Sequence, residues 1–425
     1  MEFKYIECEE QLSQNIKMAL KNVKIIDMHT HLFPASYKEL CLYGIDEILT
    51  YHYLIAEAMR QTSISNDQFW SLTKKEQASL IWDTLFINNS PLSEATQGVI
   101  TILESLGIDY AERDLDYIRR QFDRIIGQGE YIEKILKLAH VDKLVMTNDP
   151  FNTRERDYMG NTSADNRFWH SLRLDALVSN WSSVVEQLAA LGYGVQPELN
   201  EKSLNELSRF LRDWIHRINP VYLAISLPPS FRFPDDSRAP QLLRELILPL
   251  CSEFDLPLAI MLGARRNVNP SLRLAGDAVG ISCIEALANL CAAYPANRFL
   301  VTVLARENQY ELTAMARKFR NMMLFGCWWY LNTPYFVDEI TRMRFELLGT
   351  SFIPQHSDCR VLEQLIYKWQ HSLIIIEKIL SDKYSSILKK GWKLTVEDIE
   401  RDVNKLFRDN FITFVTKRGL GTFKE

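Results

Sequence analysis

Asp27-Met28-His29-Thr30-His31 closes the first apolar run of the chain and carries its most evident chemistry. Side chains alternate faces along a strand, so His29 and His31 point the same way. At the C-terminal end of a barrel strand, that direction is the mouth where active sites are built. Two imidazoles on one face suit a divalent metal such as zinc. The competing reading is a pair of solvated or core histidines; a D-x-H-x-H that ends an apolar strand favours the metal. A metal needs a third ligand. Asp358 stands where a last strand, SFIPQHS over 351–357, would end, and in a closed barrel that strand neighbours the first. The competing role for Asp358 is the N-cap of a helix over 361–383. His356 is another ligand candidate, with packing inside the barrel as its competing reading.

Arginine gathers at the other strand ends: Arg173, Arg265, Arg266, Arg306 and Arg360. Guanidinium groups clamp carboxylates or phosphates through paired N–H bonds. Each alone is more often a surface ion-pair partner; five at strand termini point to an anionic substrate. Trp328-Trp329 offers flat faces to sugar C–H surfaces, with core packing as the alternative. Asn148-Asp149 suits either hydroxyl binding or a turn.

The elements that must position these residues are short β-rich runs alternating with amphipathic stretches. Strands are predicted over 23–29, 142–148, 168–174, 221–227, 257–263, 298–304, 322–328 and 351–357. Several are continuous apolar runs, as expected of parallel strands covered on both faces. Helical patterns follow most of them, which predicts a (β/α)₈ TIM-type barrel. Residues 35–138 break the alternation. Thr73-x-x-Glu76 reads as a capping box, and Ser90-Pro91 as a cap followed by a first-turn proline. The expected organisation is a barrel domain over 1–34 and 139–425, with a helical insertion over 35–138 near the active-site mouth. Helices over 361–383 and 395–408 close the chain.

Composition narrows the function classes. Of 425 residues, 47% are hydrophobic and 24% charged, which excludes disordered and collagen-like chains. With 49 Lys+Arg against 54 Asp+Glu the net charge is −5, which gives no support for nucleic-acid or anionic-membrane partners. No G-x-G-x-x-G and no P-loop signature occurs. No apolar run approaches the ~18 residues that span a bilayer, and the acidic N-terminus lacks a signal-peptide core. The seven cysteines form no C-x-x-C and read as reduced thiols, so a cytoplasmic setting is expected.

The longer motifs IDMHTHLF, ILTYHYLIAEAMR, VMTNDPF, SLRLDAL, LPPSFRFP, FGCWWY, RMRFELLGTSFIPQHSD and RVLEQLIYKW resemble the uronate (glucuronate) isomerase family of the amidohydrolase superfamily. More narrowly, they resemble a divergent branch typified by a Bacillus protein. The resemblance runs from about Val23 to about Phe414. It implies a distorted (β/α)₈ barrel with a helical insertion. It also implies interconversion of D-glucuronate with D-fructuronate and of D-galacturonate with D-tagaturonate. His29, His31 and Asp358 are then the implied ligands of one divalent metal, with zinc the expected ion. His52 and Tyr53 match the family's His-Tyr pair near the substrate, Arg360 its active-site arginine, and Arg173 an arginine that holds the sugar acid. Without the resemblance, His52 and Tyr53 read as the start of an amphipathic helix. Most of the superfamily adds a lysine after the fourth strand and histidines after the fifth and sixth. Here those strand ends read AISLPPS, GARR and ARE, so a binuclear hydrolytic centre is not expected.

The implied reaction opens a hemiacetal, moves a proton between C2 and C1, and steadies an enediolate. Asp358 and His52 suit ring opening. Tyr53 or Asp358 suits the proton transfer, Tyr53 only if positive charge such as Arg360 lowers its pKa. Arg360 and the metal suit the oxyanion, with Arg173, Arg306, Trp328 and Trp329 as substrate contacts. Hydride transfer with a metal-polarised carbonyl is an alternative chemistry. Two other classes fit the same residues: a mononuclear hydrolase or decarboxylase of another sugar acid, and a non-catalytic sugar-acid binder. The expected partner is a small-molecule hexuronate, and barrels of this kind commonly form homo-oligomers.

Overall fold

The computed structural model describes residues 5–160 and 165–416. Seven parallel strands form one sheet: β1 (Ile25–Thr30), β2 (Val141–Asn148), β3 (Phe168–Arg173), β4 (Leu223–Leu227), β5 (Leu258–Leu262), β8 (Phe299–Val303) and β9 (Met322–Leu324). Two two-residue strands, β6 (Ala264–Arg265) and β7 (Ala278–Val279), make a small antiparallel hairpin after β5. The sheet curls, with helices packed outside it, as in a distorted TIM-type barrel.

The eighth predicted strand is not one. In 351–359 only Ile353 pairs in parallel, with Phe325. Its N–H donates to the Leu324 carbonyl at 2.9 Å, and its own carbonyl accepts from Gly326 N–H at 2.8 Å. Pro354 follows and has no N–H to donate, and Asp358 has a left-handed backbone, with φ of 55°. The segment is extended nonetheless, and its far side meets β1. Asp358 N–H reaches the His29 carbonyl at 3.2 Å, and His31 N–H reaches the Cys359 carbonyl at 2.8 Å.

Two apolar layers follow from strand alternation. Ile26, Met28, Val145, Tyr222, Ala259, Leu300 and Phe325 fill the inside of the sheet, with Phe411 and Phe414 of the last helix in the same cluster. The outer layer packs strands against helices. Between β1 and β2 the chain is helical, with His52–Met59, Lys74–Trp82, Glu94–Leu106 and Leu115–Ile126 among its helices. The Thr73/Glu76 capping box forms as predicted. The Ser90-Pro91 cap does not; the next helix is capped by Ser93, whose hydroxyl accepts from Thr96 N–H at 3.2 Å. That helix, Glu94–Leu106, lies flat on the long helix Gln364–Leu388 because Gly98 leaves room. A Cβ there would stand 2.8 Å from the Tyr367 ring. Among the described residues, no helix is long and apolar enough to cross a membrane. All seven cysteines are unpaired.

Candidate active site

The site begins with an irregularity in β1. Asp27 pairs with Leu144 and Thr30 with Met146, so the register slips across Met28 and His29. Such a slip re-aims side chains near a strand end. His29 is buried, its Nδ1 3.2 Å from the Tyr222 hydroxyl. That hydroxyl donates to the Met28 carbonyl at 2.7 Å, so it accepts from His29. The network assigns the His29 proton to Nδ1 and leaves Nε2 bare. Nε2 is buried without a hydrogen-bond partner. It lies 3.7 Å from Asp358 Oδ1, and His31 Nε2 lies 3.4 Å from the same oxygen.

Both imidazoles are neutral. Burial pushes His29 down to about 3, against the pull of Asp358. It holds His31 well below its usual range, helped by Arg360 and Arg173. The Asp358 carboxyl thus faces the bare Nε2 of His29 and the Nε2 of a second neutral imidazole, a donor set that suits a cation at the centre. The three ligand atoms lie within 4.8 Å of one another. Zinc–ligand bonds of about 2.0–2.1 Å give tetrahedral edges of roughly 3.3 Å, close to the 3.4 and 3.7 Å from the two imidazoles to Asp358. The donor set therefore fits a divalent metal. Among the described residues, no other His/Cys/Asp/Glu trio has this geometry.

Beside the trio, the helix His52–Met59 presents His52 and Tyr53. Trp329 Nε1 donates to His52 Nε2 at 2.9 Å. His52 is pushed well below its usual range by burial, with Arg360 and Lys368 adding to it. It is therefore neutral, with its proton on Nδ1, a buried atom with no partner. Arg173 ends β3 and is held by Asp175 through Nε and Nη2 at 2.9 and 2.6 Å. Asp175 also accepts from Ser226 N–H at 2.6 Å, which ties β3 to β4. Among the described residues, no carboxylate pairs with the Arg360 guanidinium. Asp27, under the trio, is pushed up to about 6 by burial despite its hydrogen bonds.

A crystal structure of a uronate isomerase from Bacillus halodurans matches this fold with a TM-score of 0.93. It is 50% identical in sequence, over 96% of this chain and 97% of that one. The chain belongs to the uronate isomerase family. A uronate isomerase from Thermotoga maritima and a glucuronate isomerase from Caulobacter crescentus share the fold, each with a TM-score of 0.75 at 16% and 13% identity. They cover 95% and 99% of this chain, and 97% and 96% of their own. No protein-family model and no curated protein matches it.

In this uronate isomerase family member, the structure gathers His29, His31, Asp358, His52, Tyr53, Arg173, Arg360 and Trp329 around one end of the sheet. Three expectations need correction. Arg306 is half-exposed and its guanidinium is taken by Glu339 at 2.9–3.1 Å, away from the trio. Trp328 packs with the apolar cluster inside the sheet and, unlike Trp329, does not line the small void beside Asp358. The Tyr53 hydroxyl is not lowered by Arg360. Burial, then Tyr51, Asp358 and Glu94, hold it well above its usual range. His356 packs inside the barrel as its competing reading had it, its ring 5.6 Å from His29 and outside the ligand trio. Gly326, with φ of +58°, makes that room, since a Cβ there would meet His356 Nδ1 at 1.7 Å.

Sequence reasoning missed Tyr51 and Lys368, and it named Arg266 only as one of five strand-end arginines that suit an anionic substrate. Tyr51 is a half-buried phenol whose charged neighbours include Asp358 and Arg360. Lys368 Nζ lies 5.9 Å from the Tyr53 ring centre. Arg266 is held by Asp277 at 2.5 Å and sits 5.5 Å from the Trp329 ring centre. A void of about 10 Å³ lies among Tyr51, Tyr53, Trp329, Asp358 and Lys368, room for about one water. His31 and Asp358 keep 13% and 15% of their side chains exposed, which marks the solvent side. A cleft of about 1060 Å³ lined by Arg317, Lys318, Phe345 and Phe414 contains none of these residues.

Proposed function

We propose that the protein interconverts hexuronic aldoses and ketoses, D-glucuronate with D-fructuronate and D-galacturonate with D-tagaturonate, by proton transfer through an enediolate. The observation that carries this reading is the convergence of His29 and His31 on Asp358 beside Arg360, which no carboxylate among the described residues pairs with, in a chain half-identical to a protein crystallised as a uronate isomerase.

Ring opening removes the C1 hydroxyl proton and supports the departing ring oxygen. Asp358 is the base here, because His52 Nε2 already accepts from Trp329. His52 offers its Nδ1–H as the hydrogen bond to the ring oxygen. Asp358 passes the C1 hydroxyl proton to the ring oxygen, which leaves as the C5 hydroxyl. In the open chain Asp358 then takes the C2 proton, the electrons move into the C1–C2 bond and onto the C1 oxygen, and the C2 hydroxyl proton passes to that oxygen as C2 becomes the carbonyl. Tyr53 keeps its proton and serves as the hydroxyl through which a proton reaches C1. Arg360 stabilises the oxyanion, since a preorganised donor is worth most where charge develops. Arg173, fixed by Asp175, binds the C6 carboxylate, and Trp329 walls the sugar. A divalent cation held by His29, His31 and Asp358, zinc in our reading, would supply Lewis-acid polarisation of the substrate oxygens.

The same reading treats 35–138 as an insertion on a barrel formed by 1–34 and 139–425. It is supported by His52 and Tyr53, which that stretch supplies to the site. A cytoplasmic homo-oligomer is the proposed setting, with free thiols in its support. Proton NMR in deuterated water tests the chemistry. Incubation with D-glucuronate or D-galacturonate is expected to yield the ketouronate with deuterium at C1. Unlabelled product would point to hydride transfer or a shielded base. No conversion of either sugar by folded, zinc-supplied protein would overturn the assignment.

A further inference from the structure

The seam between β1 and the segment 351–359 is closed by very little regular pairing. Two backbone bonds join them, Asp358 N–H to the His29 carbonyl and His31 N–H to the Cys359 carbonyl, both at the site end. One residue before Asp358, Ser357 N–H finds no carbonyl. It donates to the Asp27 carboxylate, at 3.1 Å to Oδ1 and 3.3 Å to Oδ2. Oδ2 also accepts from Trp369 Nε1 at 2.9 Å, on the long helix Gln364–Leu388. Asp27 is fully buried, and Ser357 and Trp369 are 2% and 1% exposed. One carboxylate thus joins β1, the closing segment and the helix behind both.

We infer that Asp27 is a positioning residue: its carboxylate replaces a missing rung of the sheet and so sets the distance from His29 and His31 to Asp358. The inference rests on reading those three residues as one ligand set. Its logic is geometric. Asp27 is two residues from His29, and its acceptor bond holds the residue before Asp358. The Ser357 and Trp369 N–H groups, the His29 N–H at 3.5 Å and the Ser357 side chain all turn donors toward it, so the site needs acceptors. A carboxylate offers about four lone-pair sites. An asparagine of the same shape offers one oxygen and turns an NH₂ toward a donor. Losing such a partner leaves a buried N–H unmet and shifts the segment that carries Asp358. Partners behind metal ligands typically change metal affinity by about 10–100-fold when removed.

The test compares wild type with Asp27→Asn and Trp369→Phe. Zinc affinity is measured by competition with a chromogenic chelator, alongside kcat and KM for D-glucuronate, far-UV circular dichroism and the thermal midpoint. Asp27→Asn is expected to keep its helical signal and to hold zinc at least about tenfold more weakly, with kcat falling and KM within about threefold. Trp369→Phe removes one donor but leaves the charge and the Ser357 bond, and is expected to weaken zinc by a smaller factor. If Asp27→Asn does not fold, the Trp369→Phe affinity decides. Equal zinc affinity in variant and wild type, including no measurable binding in either, overturns the inference. Wild-type protein that binds zinc yet converts no uronate would sink the functional reading and leave Asp27 to be judged on affinity alone.

Discussion

Trp329 and His52 are 277 residues apart in sequence and joined by a 2.9 Å hydrogen bond from indole Nε1 to imidazole Nε2. The bond does three things. It fixes the His52 tautomer, it couples the loop after β9 to the first turn of the helix His52–Met59, and it leaves Asp358 as the group free to accept a proton.

Replacing Trp329 with Phe removes the donor and keeps an aromatic wall. A net hydrogen bond of about 1–1.5 kcal/mol corresponds to a five- to tenfold effect. Steady-state assays with D-glucuronate are expected to show kcat down by about that factor and KM nearly unchanged. A rise in KM alone, with kcat intact, would mean that the indole serves the sugar and not His52.

The arginines separate into three roles. Arg360→Lys replaces a planar donor beside the oxyanion and is expected to lower kcat by about 10²-fold, within the usual cost of losing such a donor. Arg173→Ala is expected to raise KM chiefly, and it frees Asp175, which now also holds β4 through Ser226. Arg306→Ala is the control. It is tied to Glu339 at the surface, and kcat/KM is expected to stay within about twofold, as exposed ion pairs contribute little. A large loss in Arg306→Ala would restore it to the site.

The parts of this site legible in the sequence rested on local periodicity and on barrel closure. Alternation put His29 and His31 together, and neighbouring first and last strands put Asp358 beside them. The register slip at Met28–His29 and the tautomer set by Tyr222 depend on β2 and β4, which the local pattern does not encode. The strand predicted over 351–357 contains Pro354, which has no N–H for a ladder, and only Ile353 pairs. Arg306 shows the limit of strand-end logic: position was right, but Glu339 on a following helix captured the side chain. Lys368 was hidden in a helix whose stripe reads as core packing, because its partner, Glu94, is 274 residues away. His52 and Tyr53 looked like an ordinary helix start, and only the family resemblance singled them out.

Acid is expected to destabilise the fold below about pH 6.5. Six imidazoles, the buried His29, His52 and His356 and the partly buried His31, His170 and His371, are all pushed down by desolvation. Unfolding lets each take a proton below pH ~6.5, so the unfolded state binds more protons and stability falls as pH drops. Buried acids act in the opposite sense. Asp27 is pushed up to about 6, and Glu155 and Glu363 to about 7, so the folded state holds their protons between about pH 4 and 7. The imidazoles outnumber these carboxyls, and each net proton is worth about 1.4 kcal/mol per pH unit. Urea titrations at pH 7.5, 6.0 and 5.0 are expected to show a falling midpoint. A midpoint that rises toward pH 5 would mean that the carboxyls dominate.

Lys368 and Glu94 join the helical stretch after β1 to the long helix Gln364–Leu388 through a 2.5 Å ion pair, with the ammonium 5% exposed. Nζ also donates to the Asn332 carbonyl at 2.9 Å and faces the Tyr367 ring at 4.9 Å. Removing only the acid leaves a buried charge with a carbonyl and aromatic faces for company. Breaking one side of such a pair costs about 3–5 kcal/mol, whereas replacing both sides with apolar groups is often near neutral. Since Glu94 is 16% exposed, Glu94→Gln is expected at the low end, about 3 kcal/mol by urea denaturation. The Glu94→Leu/Lys368→Met pair should recover most of that stability, and its kcat then reports whether the cation beside Tyr53 serves chemistry as well as docking. A Glu94→Gln protein within about 0.5 kcal/mol of wild type, in the range typical of surface substitutions, would show that solvent already reaches the ammonium.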